Sequence, residues 1–480
     1  MLPLKTGMVC GMAVDGQPVE RLRQFLRELS PKARALLIAE LERALLSGTE
    51  VPGGDLVLQE VRRAVRESGE RPPRIGDPER LFFRSLEPFL VDGEPAYKQR
   101  GRIARTSLEP IWAWIGRDLL ATAATTFSDD ISAALVADDT VACEQLICAF
   151  QDRVADHIQG ALVTAQSDEK ARRKLAGQLG TSRTLEEVRD LVDILKARDA
   201  LALVADQLPG HIRDLTDAPL DTVKALLDSP LVPRGIMPYA LIVVMSRLAA
   251  PWQLIRLAIK AAQTDDVVRV AATPYAAAVE IVLAEIERMV GELEADLERS
   301  GKVSVASLLK GIHDAARGLR TELDLVGDSP WSRRLVAIRA EVSGMLKRKI
   351  ESAPGRMRRL LRPRPASDIA AGSVLDSGDV DDTDALIELV GVCRNFAGEL
   401  AISEMTTRCY NELEHYLDTG TRQLIEGLRA AGPTDRPFRR SQVDAAVRFC
   451  ARAFGQEYAA LLAKAAEVAG QRERKVAARE

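Results

Sequence analysis

The residues able to do acid–base or metal chemistry are few and far apart. Four histidines, His157, His211, His313 and His415, fall in four separate segments of a 480-residue chain, which limits both imidazole catalysis and multi-histidine metal sites. Glu412 and His415 form the one Glu-x-x-His pair. Three residues apart, they share a helix face, and such a pair is half the ligand set of a di-iron carboxylate bundle, with Glu399 and Glu404 on the preceding stretch. The second pair is missing, because Val154, Leu208 and Lys310 stand three residues before the other histidines. No metal and no cofactor are expected. The six cysteines, Cys10, Cys143, Cys148, Cys393, Cys409 and Cys450, show no Cys-x-x-Cys spacing, and Cys143 and Cys148 point about 140° apart on a helix. They read as reduced structural thiols, too thinly spread for a disulfide framework.

Phosphate-cradling and nucleophilic signatures fail as well. Gly301-Lys302 is followed by Val303, with Asp296 where a P-loop needs its first glycine, and there is no Gly-x-Gly-x-x-Gly, Gly-x-Ser-x-Gly or His-Glu-x-x-His. An enzyme is therefore not expected, and no small-molecule substrate is identifiable.

The most distinctive feature is a reversal of charge. Residues 344–365 carry eight cations, Lys347, Arg348, Lys349, Arg356, Arg358, Arg359, Arg362 and Arg364, against Glu351 alone, a net of +7. Residues 366–392 carry Asp368, Asp376, Asp379, Asp381, Asp382, Asp384 and Glu388 with no Lys or Arg, a net of −7. Met345, Leu346, Ile350, Met357, Leu360 and Leu361 are interleaved with the cations, so the basic half could dock on anionic lipid, nucleic acid or an acidic partner while the acidic half competes for it. The plainer reading is a solvated tether whose halves attract each other. The acidic half is no calcium loop: counted from Asp379, Asp384 takes the place of the obligatory glycine and Val390 that of the glutamate. A second basic cluster, Lys98, Arg100, Arg102 and Arg105, precedes Trp112 and Trp114. The two tryptophans point about 200° apart on a helix, so core packing or an oligomer contact explains them better than base stacking.

These groups need elements to hold them, and the elements are helices. Apolar residues make up 46% and charged residues 28%, which excludes wholesale disorder, and a net charge of −4 supplies no chain-wide attraction to nucleic acid or membrane. The length exceeds what one core fills, so several domains are expected. Pro18 and Ser30-Pro31 open two helices of a hairpin, and a short helix follows Gly53-Gly54 before the breakers Pro72-Pro73 and Pro78. Leucine, valine and alanine stripes continue through the middle, where residues 151–395 carry only four of the twenty aromatic side chains, too few for an ordinary compact globule. Thr184 and Glu187 suit a capping box, and a helix from Pro274 carries Val279, Val282, Ile286, Met289, Leu293 and Leu297 at seam spacing. The apolar run 235–245 is bracketed by Arg234 and Arg247 and is too short to span a bilayer. Breaks at Ala353-Pro354-Gly355 and Arg362-Pro363-Arg364-Pro365 predict a linker, and helical spacing resumes from Ile387 and ends with a charged, frayed tail from Gln471.

The expectation is an all-α, multidomain chain, either a helical bundle or an irregular α-solenoid of long amphipathic helices. It would comprise an N-terminal module at 1–72, an extended central region at 77–352, a flexible charged linker at 353–384 and a C-terminal module at 385–480. The expected role is a non-enzymatic scaffold or adaptor acting through a protein partner or homo-oligomer. The alternative is a peripheral binder of anionic membrane or nucleic acid through 344–365. A cytoplasmic location follows from the absence of an export signal in residues 1–16, and the excess of Arg over Lys fits a high-GC bacterial genome.

Overall fold

The computed structural model describes residues 22, 25–26, 29, 31–46, 51–54, 56–58, 60–61, 77–92, 98–137, 139–298, 305–325 and 327–476. Pro18, the breakers at 72–73, Cys10 and residues 477–480 lie outside them; of the helix expected from Pro18, Leu22, Phe25 and Leu26 are described and helical. Pro31 begins α1 (Pro31–Leu46), as its spacing predicts. Leu26, Ile38, Leu58 and Val61 form a small core separate from the main one.

The first region of the main body runs from 78 to 271. Asp77 caps α2 (Pro78–Phe83) by accepting from Glu79 N at 3.1 Å, and a 3₁₀ turn, Arg84–Phe89, follows. The two named strands are two residues each: β1 (Leu90–Val91) pairs in parallel with β2 (Ile103–Ala104). Then come α3 (Leu108–Trp114), α4 (Ala121–Val136), α5 (Thr140–Ser167), α6 (Glu169–Leu179), α7 (Ser182–Lys196), α8 (Arg198–Gln207), α9 (Asp217–Leu227), α10 (Met237–Arg247), α11 (Ile255–Ala262) and α12 (Val267–Ala271). Helix α7 begins before the expected capping box. Thr181 is its cap, accepting from Thr184 N at 3.0 Å, while Thr184 and Glu187 are buried in the helix and Glu187 serves other partners. The apolar run is α10, with Tyr239 to Met245 all buried, and no described helix is long and apolar enough to cross a membrane.

The second region is more regular. It contains α13 (Ala277–Glu298), α14 (Val305–Glu322), α15 (Pro330–Leu361), α16 (Ser377–Phe396), α17 (Ser403–Arg429), α18 (Arg436–Phe454) and α19 (Gln456–Val476). Helices α13, α15, α17 and α19 lie side by side in one layer, and α14, α16 and α18 in a second. Neighbours within a layer run parallel: Arg334 on α15 bonds Glu280 and Glu287 of α13, and Lys349, one end further, reaches Leu297 O at 3.0 Å. The same ascending order joins Glu351 and Arg358 of α15 to Arg408 and Glu412 of α17. Consecutive antiparallel helices stacked in two layers make an α-solenoid, in which each hairpin buries its stripe against the next.

Two expectations change. The stretch 353–384, read as a flexible linker, is mostly helix: α15 continues through Pro354 to Leu361, α16 starts at Ser377, and only 362–376 is irregular. Proline removes a backbone donor and normally breaks a helix, but here Ile350, Ala353, Pro354, Met357, Leu360 and Leu361 are all buried, so core packing on both sides of the defect holds the helix together. The irregular segment is strapped to α18, with Leu375 N donating to Ser441 Oγ at 3.0 Å and Gln442 Nε2 to the carbonyls of Leu360 and Arg362 at 2.9 and 3.1 Å. Secondly, α19 remains helical past Gln471, to Val476. One connected apolar core extends from Phe82 to Ala469.

Candidate interaction surface

Helix α15 is where the cationic segment lies. Ser329 caps it by accepting from Ser332 N at 3.0 Å, and Pro330 occupies its first turn. Trp331, Leu335, Ile338, Val342, Leu346, Ile350, Met357 and Leu360 then form a buried stripe at three- and four-residue spacing. A stripe of that width dictates what the other side shows. Gly344, Lys347, Arg348, Glu351, Gly355, Arg358, Arg359 and Arg362 are all exposed, and at 100° per residue Arg348, Gly355, Arg359 and Arg362 fall within about 60° of arc. The cations of the last turn also lie where the helix dipole favours positive charge.

The eight predicted cations divide into two sets. Lys349 is half-buried and caps the end of α13 through Leu297 O. Arg356 stands 3.7 Å from Asp382, Arg358 donates to Glu412 at 2.9 Å, and the Arg364 guanidinium sits 5.1 Å from the ring centre of Phe438. Lys347, Arg348, Arg359 and Arg362 make no side-chain hydrogen bond or ion pair with any described residue. These four are the strip.

The acidic half does not neutralise it. Asp384 is fully buried and holds Arg448 Nη2 at 2.8 Å and Arg452 Nε at 3.3 Å. Asp381 takes Arg448 at 2.5 Å and Glu388 takes Arg452 at 3.3 Å, while Asp376 caps α16. Asp382 is the acid of this half that stands beside a cation of the basic half, Arg356. Tethering of one half by the other, the plainer sequence reading, is therefore corrected: α18 supplies the arginines that the acids use. The interleaved Leu346, Ile350, Met357, Leu360 and Leu361 face the core, so they are not the apolar half of a membrane-binding surface.

The other candidate groups are put to structural use. Glu412, half of the Glu-x-x-His pair, is bound by Arg358. Lys98 donates to the carbonyls of Gln99 and Arg102 and to Asp190, Arg102 to Glu285 at 3.3 Å, and Arg105 to Glu87 and Asp92 at 2.6 and 2.8 Å. Trp114 is buried, and Trp112 lies among Phe82, Phe83, Phe127 and Phe150. Burial pushes the thiols of Cys393 and Cys450 up to about 12 and about 11, leaving them protonated. Among the described residues no group of three or more His, Cys, Asp or Glu is placed to hold a metal ion.

A repeat within the strip escaped the sequence reading. The pattern Gly-x-x-cation-Arg of Gly344, Lys347 and Arg348 recurs eleven residues on at Gly355, Arg358 and Arg359. Eleven residues are close to three helical turns, so the two copies align on one face about 16 to 17 Å apart. The repeat was visible only once Pro354 was known to lie inside a helix. No family model, curated protein or solved structure matches this chain.

Proposed function

We propose that this chain is a non-enzymatic helical scaffold, working in the cytoplasm, that binds a protein partner or further copies of itself through the open face of its solenoid layer. The observation that carries this reading is the two-layer stack of α13 to α19, which leaves continuous helix faces uncovered while its histidines and cysteines are scattered and most of its carboxylates are held in ion pairs. Stacked-helix solenoids present extended surfaces of this kind to partners. Light scattering over a broad concentration range, with crosslinking of the intact protein, tests it. Self-association or a reproducible crosslinked partner is expected, and a strictly monomeric species with no crosslinked partner would sink the reading.

A second reading, attachment to anionic membrane or nucleic acid through 344–365, draws on the four uncompensated cations. It loses the apolar contribution first assigned to it, because those side chains face inward, and its affinity would rest on charge alone and fall steeply with salt.

A further inference from the structure

We infer that the exposed face of α15 between Gly344 and Arg362 docks an acidic helix of a protein partner, laid along α15 with its carboxylates in two groups three turns apart. The inference rests on the scaffold reading and gives that surface a partner. Lys347 with Arg348, and Arg359 with Arg362, are exposed and lack carboxylate partners among the described residues, so their charge is available at little rearrangement. Arg348 and Arg359, eleven residues apart, lie about 16 to 17 Å from each other on one face, the distance at which a second straight helix repeats its own face, with Lys347 beside the first and Arg362 one turn beyond the second.

Each cation pair stands beside a glycine. A Cβ built on Gly344 or Gly355 would meet nothing within 4 Å, so no neighbour in this chain requires its absence, although glycine is among the poorest residues for a helix interior. The missing side chains leave two shallow recesses in register with the cations, where another backbone can approach closely. The face also alternates in sign. Glu351, held by Arg408 at 3.2 Å, and Glu412, held by Arg358, lie along its α17 side. A partner with discrete carboxylates can match such a pattern, whereas a continuous phosphate or lipid-headgroup surface would press against Glu351 and Glu412. No large apolar side chain projects from this face for insertion into lipid.

Fluorescence anisotropy with the full-length protein tests this, using a labelled helical peptide bearing two Glu pairs three turns apart. A peptide of the same composition with scrambled spacing, a short DNA duplex and phosphatidylserine vesicles serve as competing probes. The spaced peptide should bind at least about tenfold more tightly than the scrambled one. Replacing Lys347, Arg348, Arg359 and Arg362 together by Gln should remove that binding with the helical circular dichroism unchanged, and Gly355→Leu should weaken it while Gly355→Ala does not. Equal binding of the scrambled peptide, tighter binding of DNA or vesicles, or binding of no probe would overturn the inference. Self-association or partner crosslinking that survives the four Gln substitutions would leave the scaffold standing and remove only this surface from it.

Discussion

The two regions of the main body use charge in opposite ways. In the first, 78 to 271, charged side chains are interior fasteners. Asp190 on α7 gathers Lys98, the backbone N–H of Gly101 at 2.8 Å and the hydroxyl of Tyr239 at 3.0 Å, and the buried Glu187 accepts from Ala104 N at 3.2 Å. These bonds pin the loop 98–104 to α7 and α10, where helix stripes alone could not hold an irregular segment. Between the regions, Arg102 meets Glu285 of α13, itself bridged to Arg288 at 2.6 Å. In the second region the long helices already bury apolar stripes against one another, and most charges stay on the surface. Asp384 and Asp435, held by Arg439, are buried exceptions. The lesson is that uncompensated cations collect where packing no longer needs them, and on α15 that surplus becomes a surface.

The largest expected effect breaks the fastener side of this contrast. Asp190→Ala removes the carboxylate from a half-buried ammonium and leaves a buried backbone donor without its acceptor, so it should destabilise by about 2 to 4 kcal/mol, read as a lower denaturation midpoint by circular dichroism; a loss under about 1 kcal/mol would mean these charges only decorate the loop. Asp384→Ala should cost less, about 1 to 3 kcal/mol, because Arg448 and Arg452 are themselves partly exposed and can turn to water.

Acid sharpens the same contrast. Burial pushes the Glu285 carboxyl up, but the hydrogen bond and charge of Arg288, with Arg102 behind them, bring it below the ordinary value of 4.5. A carboxylate lowered on folding stabilises above its unfolded value and loses that stabilisation as pH falls through the folded one. Stability should therefore decline below about pH 4.5, and Glu285→Gln should flatten that decline in melting temperatures taken between pH 5 and pH 3, a window set by the ordinary carboxylate range. An unaltered slope would show that the junction pair contributes nothing.

The smallest effects belong to α15. Gly344→Ala and Gly355→Ala should each raise stability by about 0.5 to 1 kcal/mol, since the added methyl meets open space. Gln at Lys347, Arg348, Arg359 or Arg362 should change it by no more than about 0.5 kcal/mol per site. A larger loss on thermal melting would place these cations among the fasteners and erase the difference between the regions.

Much of the helical content was readable locally. The stripe Val279, Val282, Ile286, Leu293 marks α13 within a few residues of its ends, and Ser30-Pro31 marks the start of α1, because amphipathic period and first-turn proline act over one or two turns. The candidate surface was readable only as a list of cations. Which of them are free depends on carboxylates far away in sequence: Arg358 finds Glu412 54 residues on, and Asp381 finds Arg448 67 residues on, not the nearer basic half.

Residue types and their local spacing determined by themselves that this protein is helical, that its histidines and cysteines are scattered, and that charge reverses near residue 365. Only the tertiary structure decided that α15 runs through Pro354, since a proline's local cost is outweighed by the burial of Ile350, Ala353, Met357 and Leu360 on either side of it. Tertiary structure also decided the long-range pairings of buried charges, such as Arg102 with Glu285, 183 residues away. Helical periodicity is a property of neighbours along the chain, whereas the partner of a charge is chosen by whichever element the core brings beside it.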